Sequence, residues 1–426
     1  MISEFNFKLK NVGLINKADI NIGKINVIGG NNSTGKSTSS KMLYSFLRSN
    51  SKNRKELTKN TLINDILEFS MDLNLFNNAH RDEENFNPID DKIINFRNEI
   101  HQKQLDDENI DVIKYYKQIK ESYDEYMLKY SVNDLLTNSF NNIKNLIEIY
   151  EDDDEKLFNS IMNLVIKSEF GKSKFENNEV IFSGNFNNLP FHCYGDIMNS
   201  NLKMKGFLTV ENVFYLDSFS FFDLLSRGGS QNTEHVSHVF NSIEDDQSNT
   251  WADEIKNKNI IKIEEKLFEI TGGTFVYDNR NIKFIKDDAE VLMKNTASGI
   301  KQVGVIQMLL NTRKLKQNSF LIIDEPEVNL HPEWQIKLAE VLTLLSKDLN
   351  IYIYINSHSP LFIEAIRTYA EKYDLLDETN FYLTYPSKEE KFDIEYVPTE
   401  DLNIIYNSLG EPYETLSEIS IDNQFK

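Results

Sequence analysis

An eight-residue stretch near the start, Gly30-Asn31-Asn32-Ser33-Thr34-Gly35-Lys36-Ser37, constrains the fold of this chain more than any other part of it. It fits G-x-x-x-x-G-K-[ST] without a mismatch, and its setting agrees. A strand-like run at 19–28 comes before it, and Met42, Leu43, Phe46 and Leu47 follow at helical spacing. Glycines let the backbone turn its N–H groups inward into a nest for phosphates, and the start of the following helix adds its dipole. Lys36 is placed to neutralise β- and γ-phosphates, and the Ser37 hydroxyl offers an oxygen to Mg2+. The candidate phosphate-binding set runs from Gly30 to Thr38. A strand–loop–helix unit of this kind predicts an α/β chain.

Acids arrive much later. Ser319–Leu330 reads SFLIIDEPEVNL, and an apolar run ending in Asp-Glu is how a buried parallel strand delivers carboxylates to the C-terminal edge of its sheet. Asp324 is placed to hold a Mg2+ shell, and Glu325 to polarise an attacking water. Lys36 and Asp324 are 324 − 36 = 288 positions apart, so the two halves of the site flank everything between them. Ser298 and Gly299 open a further helix with Val303, Ile306, Leu309 and Leu310 on one face. That opening is either a second anion-binding terminus or a plain N-cap. The run at 351–355 leads into Asn356-Ser357-His358-Ser359-Pro360, putting His358 at a strand's C-terminal edge, within possible reach of a γ-phosphate.

Between these motifs the character changes. From about 50 to 210 Asn, Asp, Glu and Lys dominate, and Tyr116, Ile119, Tyr123, Tyr126 and Tyr130 fall at helical spacing. That row is either a helix packing on its own domain or the seam of an antiparallel pair. The acidic run Glu151–Glu155 reads as a solvated loop. Strand-like pieces return at 178–216. A hairpin is predicted around 278–281, and the tail carries strands at 380–385 and 392–397 before a helix capped by Thr399. The organisation is read as 1–49, the first part of an α/β head, 50–210, a mainly helical insertion, and 211–426, the rest of the head. No repeat with a period of 20–50 residues is present.

A chain of 426 residues exceeds what one core usually supports, in line with an interrupted head. The net charge of −21 disfavours broad coating of nucleic acid or an anionic membrane. The single cysteine, Cys193, excludes an internal disulfide and any Cys-rich zinc site. The first residues lack a signal-peptide pattern and the apolar runs are far shorter than a membrane span, so a cytoplasmic setting with no membrane partner is expected. Minor features are His235 and His238, too few alone for a metal, the basic residues Lys52, Arg54, Lys55 and Lys59, and the aromatic stretch Phe214–Phe222, read as core or interface.

Together, GGNNSTGKS, TASGIKQ, FLIIDEPEVNLHP and INSHSP resemble the soluble branch of the ABC-type ATPases: SMC-, RecF- and OLD-like AAA-family proteins and the PtuA-like ATPases of bacterial anti-phage systems. The likeness covers roughly 1–45 and 205–370. It implies a P-loop head with a mixed central sheet, ATP and Mg2+ as cofactors, and a head-to-tail homodimer, or a higher oligomer, with ATP between two heads. On that likeness Lys36 and Ser37 bind phosphate and Mg2+, Asp324 is the Walker B acid, Glu325 the catalytic base and His358 the switch histidine. Ser298 and Gly299 would meet the partner's γ-phosphate, and Asn329–His331 would form the D-loop. ASGIKQ departs from LSGGQ, which weighs against a transporter subunit, and no glutamine stands out for the Q-loop. The 426 − 358 = 68 residues after His358 hold no D-x-D pair, so a Toprim-type nuclease is not expected. The implied role is a regulator of a separate effector such as a nuclease, with a RecF- or SMC-like DNA clamp as the alternative.

Overall fold

The computed structural model describes residues 5–52, 111–127, 134–151, 154–217 (except 172, 174, 198–201 and 207), 233–244 and 258–410 (except 279, 280, 288 and 389), with isolated positions at 59, 62, 63, 65, 66, 69, 98, 99 and 416. The first elements are β1 (Phe5–Val12), β2 (Ile15–Asn21), β3 (Ile25–Gly29) and α1 (Lys36–Ser49). Among the described residues the next elements are helices α2 (Val112–Met127), α3 (Asp134–Glu151) and α4 (Asp154–Phe170). Strands β4 (Glu179–Phe186), β5 (Leu189–Gly195), β6 (Lys203–Lys205) and β7 (Val213–Leu216) come next. Then come α5 (Glu234–Glu244), α6 (Lys258–Thr271), β8 (Thr274–Asp278), β9 (Asn281–Lys286), β10 (Ala289–Leu292) and α7 (Ser298–Asn311). Next come β11 (Phe320–Asp324), α8 (Pro332–Leu349), β12 (Tyr352–Ser357), α9 (Pro360–Lys372), β13 (Thr379–Pro386) and β14 (Phe392–Val397), with helical residues following at 403–410.

The chain divides into two compact units, residues 1–52 with 162–426, and residues 53–161. In the first, eleven strands form one mixed sheet in the order β6-β5-β4-β1-β2-β14-β13-β3-β12-β11-β7. From β13 to β7 every pairing is parallel. The strands β3, β7, β11 and β12 are buried along their whole length, because helices cover both faces. One face carries Val27, Leu216, Ile323, Ile355 and Leu383 into a core with helices α5 to α9. The other packs on α1, where Tyr354 Oη and Ser39 Oγ are 2.8 Å apart. The antiparallel wing behaves differently. Phe5, Phe7 and Leu9 of β1 are buried in alternation with more exposed residues, as expected of strands with one solvated face.

Two sequence expectations are refined here. The run at 19–28 is two strands, because the chain turns at Gly23, whose N–H bonds to Asn26 Oδ1 and whose missing side chain admits the Glu378 carbonyl. The expected mainly helical insertion spans 50–210, whereas β4 pairs antiparallel with β1, β5 with β4 and β6 with β5, so these strands extend the head's sheet. Their polar alternation marks an outer wing, which composition alone does not separate from an insertion.

In the second unit Tyr116 and Tyr123 of α2 stack on Phe140 of α3, Tyr123 at 3.9 Å between centroids. The tyrosine row is thus packed inside its own unit; the Tyr126 side chain and Tyr130 lie outside the described residues. So do Asp152 and Asp153 of the acidic run and Arg54 and Lys55 of the basic cluster. Lys52 is ion-paired with Glu211. Of the aromatic stretch, Phe214 and Tyr215 are core residues of β7, and 218–222 lie outside the described residues. Among the described residues no helix is long and apolar enough to cross a membrane.

Candidate functional site

The parallel strands end in register. Asp324 of β11 pairs with Asn356 of β12, and Ser357 of β12 with Gly29 of β3, so β12 inserts between the strand feeding the glycine-rich loop and the strand bearing the acids. All three deliver their C-terminal ends to one edge of the sheet.

From β3 the chain enters the loop Gly30–Gly35. Gly30 and Gly35 have φ of 154° and 91°, and Ser33 is also left-handed at 62°. These conformations turn the chain tightly onto α1, which begins at Lys36 behind an uncapped Gly35. A side chain at Gly30 would put its Cβ 2.0 Å from Thr384 Oγ1, so β13 fixes the loop's entry. The Lys36 ammonium donates to the Gly30 carbonyl at 2.7 Å and the Asn31 carbonyl at 2.6 Å, and Thr34 Oγ1 donates to Asn31 O at 2.9 Å. Burial lowers the Lys36 pKa, opposed by Glu325, Asp324 and Glu327. Asn31, Asn32, Ser33 and Ser37 are exposed, and Thr38 is half-buried against Gly13.

Asp324 is buried and fully bonded. Ser40 Oγ donates to Oδ1 at 3.0 Å, Asn356 Nδ2 to Oδ1 at 2.6 Å, and Tyr215 Oη to Oδ2 at 2.9 Å. Burial raises its pKa, and bonds from Ser37, Tyr215, Ser40 and Asn356 pull it back. Asp324 and the Ser37 hydroxyl therefore face one another, an oxygen pair of the kind Mg2+ takes. Ser37 and Asp324 would hold such an ion, which would supply Lewis-acid stabilisation to a bound phosphate. Among the described residues no cluster of three or more His, Cys, Asp or Glu could hold a metal by itself.

Glu325 follows in the left-handed region at φ 50°, a costly conformation for a non-glycine residue, and its N–H donates to Asn356 O at 2.8 Å. The turn swings its side chain out of the strand line, leaving it half-exposed. Its Oε1 is 3.6 Å from His358 Nδ1. Lys36, Ser37, Asp324, Glu325 and His358 are thus assembled along one edge.

Ser298 and Gly299 open α7 beside the 329–330 turn. Ala297, not Ser298, occupies the N-cap of α7 and makes no side-chain cap bond, so the plain-cap reading does not describe Ser298. Gly299 packs on the 329–330 turn: a Cβ there would lie 2.3 Å from Asn329 O. No hydrogen bond or ion pair among the described residues joins Ser298 or Gly299 to Gly30–Thr38. His331 caps α8, its Nδ1 accepting from Glu333 N at 3.3 Å.

Four further residues, none with a role evident from the sequence, hold this edge together: Ser40, Tyr215, Asn356 and Glu327. None is marked out by local sequence: Glu327, two residues after Glu325, reads as an ordinary turn acid. Beyond Tyr215 lies a buried ion cluster. His235 Nδ1 is 2.7 Å from Glu169 Oε2 and its Nε2 is 3.3 Å from Asp217 Oδ2. Burial opposes protonation of His235, but its bonds to Asp217 and Glu169 prevail and raise the pKa to about 9. His238 instead stacks on Phe214, and burial holds its pKa well below the ordinary value. The two histidines therefore sit in opposite electrostatic settings, with no shared ligand role.

No curated protein matches the sequence. Among solved structures the chain is similar to the SMC head domain from Thermotoga maritima, at 10% identity over 94% of this chain and 100% of that one, with a TM-score of 0.39. It is also similar to an SmcHead bound to the C-winged helix domain of ScpA, at 11% identity over 94% and 99%, with a TM-score of 0.41. The Smc head domain with an extended coiled coil from Pyrococcus furiosus matches at 11% identity over 99% and 100%, with a TM-score of 0.35. At the level of sequence families, residues 1–363 match the AAA ATPase domain, the greater part of the chain. The chain therefore belongs to the AAA ATPase domain family.

Proposed function

We propose that this chain binds ATP with Mg2+ on Gly30–Thr38 and hydrolyses it. The observation that carries the reading is the convergence of Lys36, Ser37, Asp324, Glu325 and His358 on one sheet edge. Lys36 and the loop N–H groups hold the phosphates. Ser37, with Asp324 behind it, holds the ion that would supply Lewis-acid stabilisation of the phosphoryl charge. Glu325, half-exposed, orients the attacking water and accepts its proton, while His358 beside it senses the γ-phosphate. Replacing Lys36→Ala should abolish ATP binding in a fluorescent-nucleotide titration. Turnover that survives this change would remove the loop from the mechanism.

The proposal extends to assembly and role. Two chains pack head to tail, so that the uncapped start of α7, with Ser298 and Gly299, closes on the γ-phosphate held by the other chain. ATP then switches the dimer between closed and open states, and that switch licenses a separate effector, such as a nuclease, in bacterial anti-phage defence. The support for this role is the likeness of the motifs to PtuA-like ATPases, and its test is a stoichiometric complex between this chain and the product of a neighbouring gene. Recovery of the chain alone would count against it. A DNA clamp is not favoured, given a net charge of −21 and a Lys52 already paired with Glu211.

A further inference from the structure

Glu327 is a carboxylate almost removed from solvent, at 4% exposure. Burying such a group is costly unless it is well bonded, so its partners say what it is for. Its Oε1 accepts from Ser357 Oγ at 2.7 Å, from His358 N at 2.8 Å and from Ser359 N at 3.2 Å. Those three consecutive residues are the end of β12 and the entry to α9, the segment that carries His358. The same oxygen is 3.4 Å from His358 Nδ1. That nitrogen lies within ion-pair range of both Glu325 and Glu327 yet forms a hydrogen bond with neither. With Nδ1 turned toward two carboxylates, Nε2 is left on the far side of the ring. Glu327 itself is held by β11 through the turn after Glu325, where Val328 N donates to Glu325 O at 3.1 Å.

We propose that Glu327 is a positioning residue for hydrolysis: its buried carboxylate ties Ser357–Ser359 to the 324–330 turn and so fixes the His358 imidazole beside Glu325. The inference rests on the reading that Glu325 and His358 act at the γ-phosphate. Glu327 touches neither nucleotide nor water in this scheme; it sets the place and facing of the ring. Because the tie joins the strand end bearing His358 to the turn bearing Glu325, losing it separates two groups that must act together, and misplacement of about 1 Å is enough to cost on the order of a hundredfold in rate.

The test compares Glu327→Ala, Glu327→Gln and His358→Ala, alone and combined, in steady-state ATPase assays with nucleotide affinity measured separately. Glu327→Ala should lower kcat by about tenfold to a hundredfold while ATP affinity stays within about threefold. Glu327→Gln keeps an oxygen that can accept the three donors and should recover most of that loss. The Glu327→Ala/His358→Ala double variant should be no slower than His358→Ala, since a positioning residue has nothing left to position. Multiplied losses in the double variant, or a loss confined to ATP affinity, would overturn the inference. If Glu327→Ala fails to fold, Glu327→Gln decides: kcat within about threefold of wild type supports the tie, and a loss as large as that of His358→Ala refutes it. Unchanged turnover in His358→Ala and Glu325→Gln would instead sink the hydrolytic assignment beneath it.

Discussion

Replacing Gly30 with alanine tests the loop through its geometry, not its charge. The added Cβ would lie 2.0 Å from Thr384 Oγ1, 3.1 Å from its Cβ and 3.2 Å from its Cγ2. Real Cβ contacts begin near 3.0 Å, so the loop entry or β13 must give by about 1 Å. The residue also sits at φ 154°, where a side chain costs about 1–3 kcal/mol. ATP can bind the native loop only by restoring that crowded, strained conformation, at about 3 kcal/mol or roughly a hundredfold in affinity, so Gly30→Ala should weaken ATP binding by about that factor in a fluorescent-nucleotide titration. Thr384→Ala removes the two clashing outer atoms and leaves a tight but tolerable 3.1 Å contact. Thr384 Oγ1 is buried without a hydrogen-bond partner among the described residues, so this change alone should alter affinity by less than about threefold. The double variant keeps the φ strain and loses the clash, and should recover about tenfold. Wild-type affinity in Gly30→Ala would refute the loop as the phosphate site; a double variant no better than the single would show that Thr384 is not what the loop leans on.

Glu325→Gln should leave ATP bound and slow hydrolysis by about 10²–10⁴-fold, with a larger species in sizing chromatography when ATP is present; a monomer under those conditions would contradict ATP-driven closure. Ser298→Arg should stop hydrolysis with ATP binding intact, and mixing it with Lys36→Ala should restore part of the activity through one sound composite site, whereas complete failure to rescue argues against the head-to-tail dimer. His235 gives a pH test. Its pKa of about 9 in the fold exceeds the ordinary 6.5, so its contribution is complete below about pH 6.5 and is lost as pH rises through 9. That is on the order of 3 kcal/mol, visible as a fall in unfolding free energy between pH 6.5 and 9 that His235→Gln should flatten; an identical slope in the variant would dismiss the buried ion cluster as its source.

The glycine-rich loop, the apolar runs that deliver Asp324 and His358, and the strand–helix alternation at both ends of the chain were legible because each is local: composition and spacing over about ten residues specify a strand, a turn or a helix start. Glu327 was not, since an acid two residues beyond Glu325 looks solvated until Ser357, His358 and Ser359 are seen to donate to it across 30 or more positions. The buried Glu169–His235–Asp217 cluster was hidden for the same reason. In sequence His235 is one of two histidines three apart, and only packing puts one between carboxylates and the other on a phenylalanine ring. Strand-like pieces were legible at 178–216, but the unit they belong to was not, because only their pairing outward from β1 joins them to the head's sheet.

By itself the sequence determined which chemical groups this chain possesses and the order in which they are strung: a glycine-rich loop with its lysine first, two acids nearly three hundred residues later, and a histidine after them. The tertiary structure alone decided that they meet. Parallel pairing sets β12 between β3 and β11, so strand ends remote in sequence finish at one edge, in register, with their backbone groups spent on the ladder and their last side chains turned toward a common space. Pairing of that kind depends on burial of both faces by helices that no single segment encodes, which is why the loop could be read from eight residues and its partners had to be found in the fold.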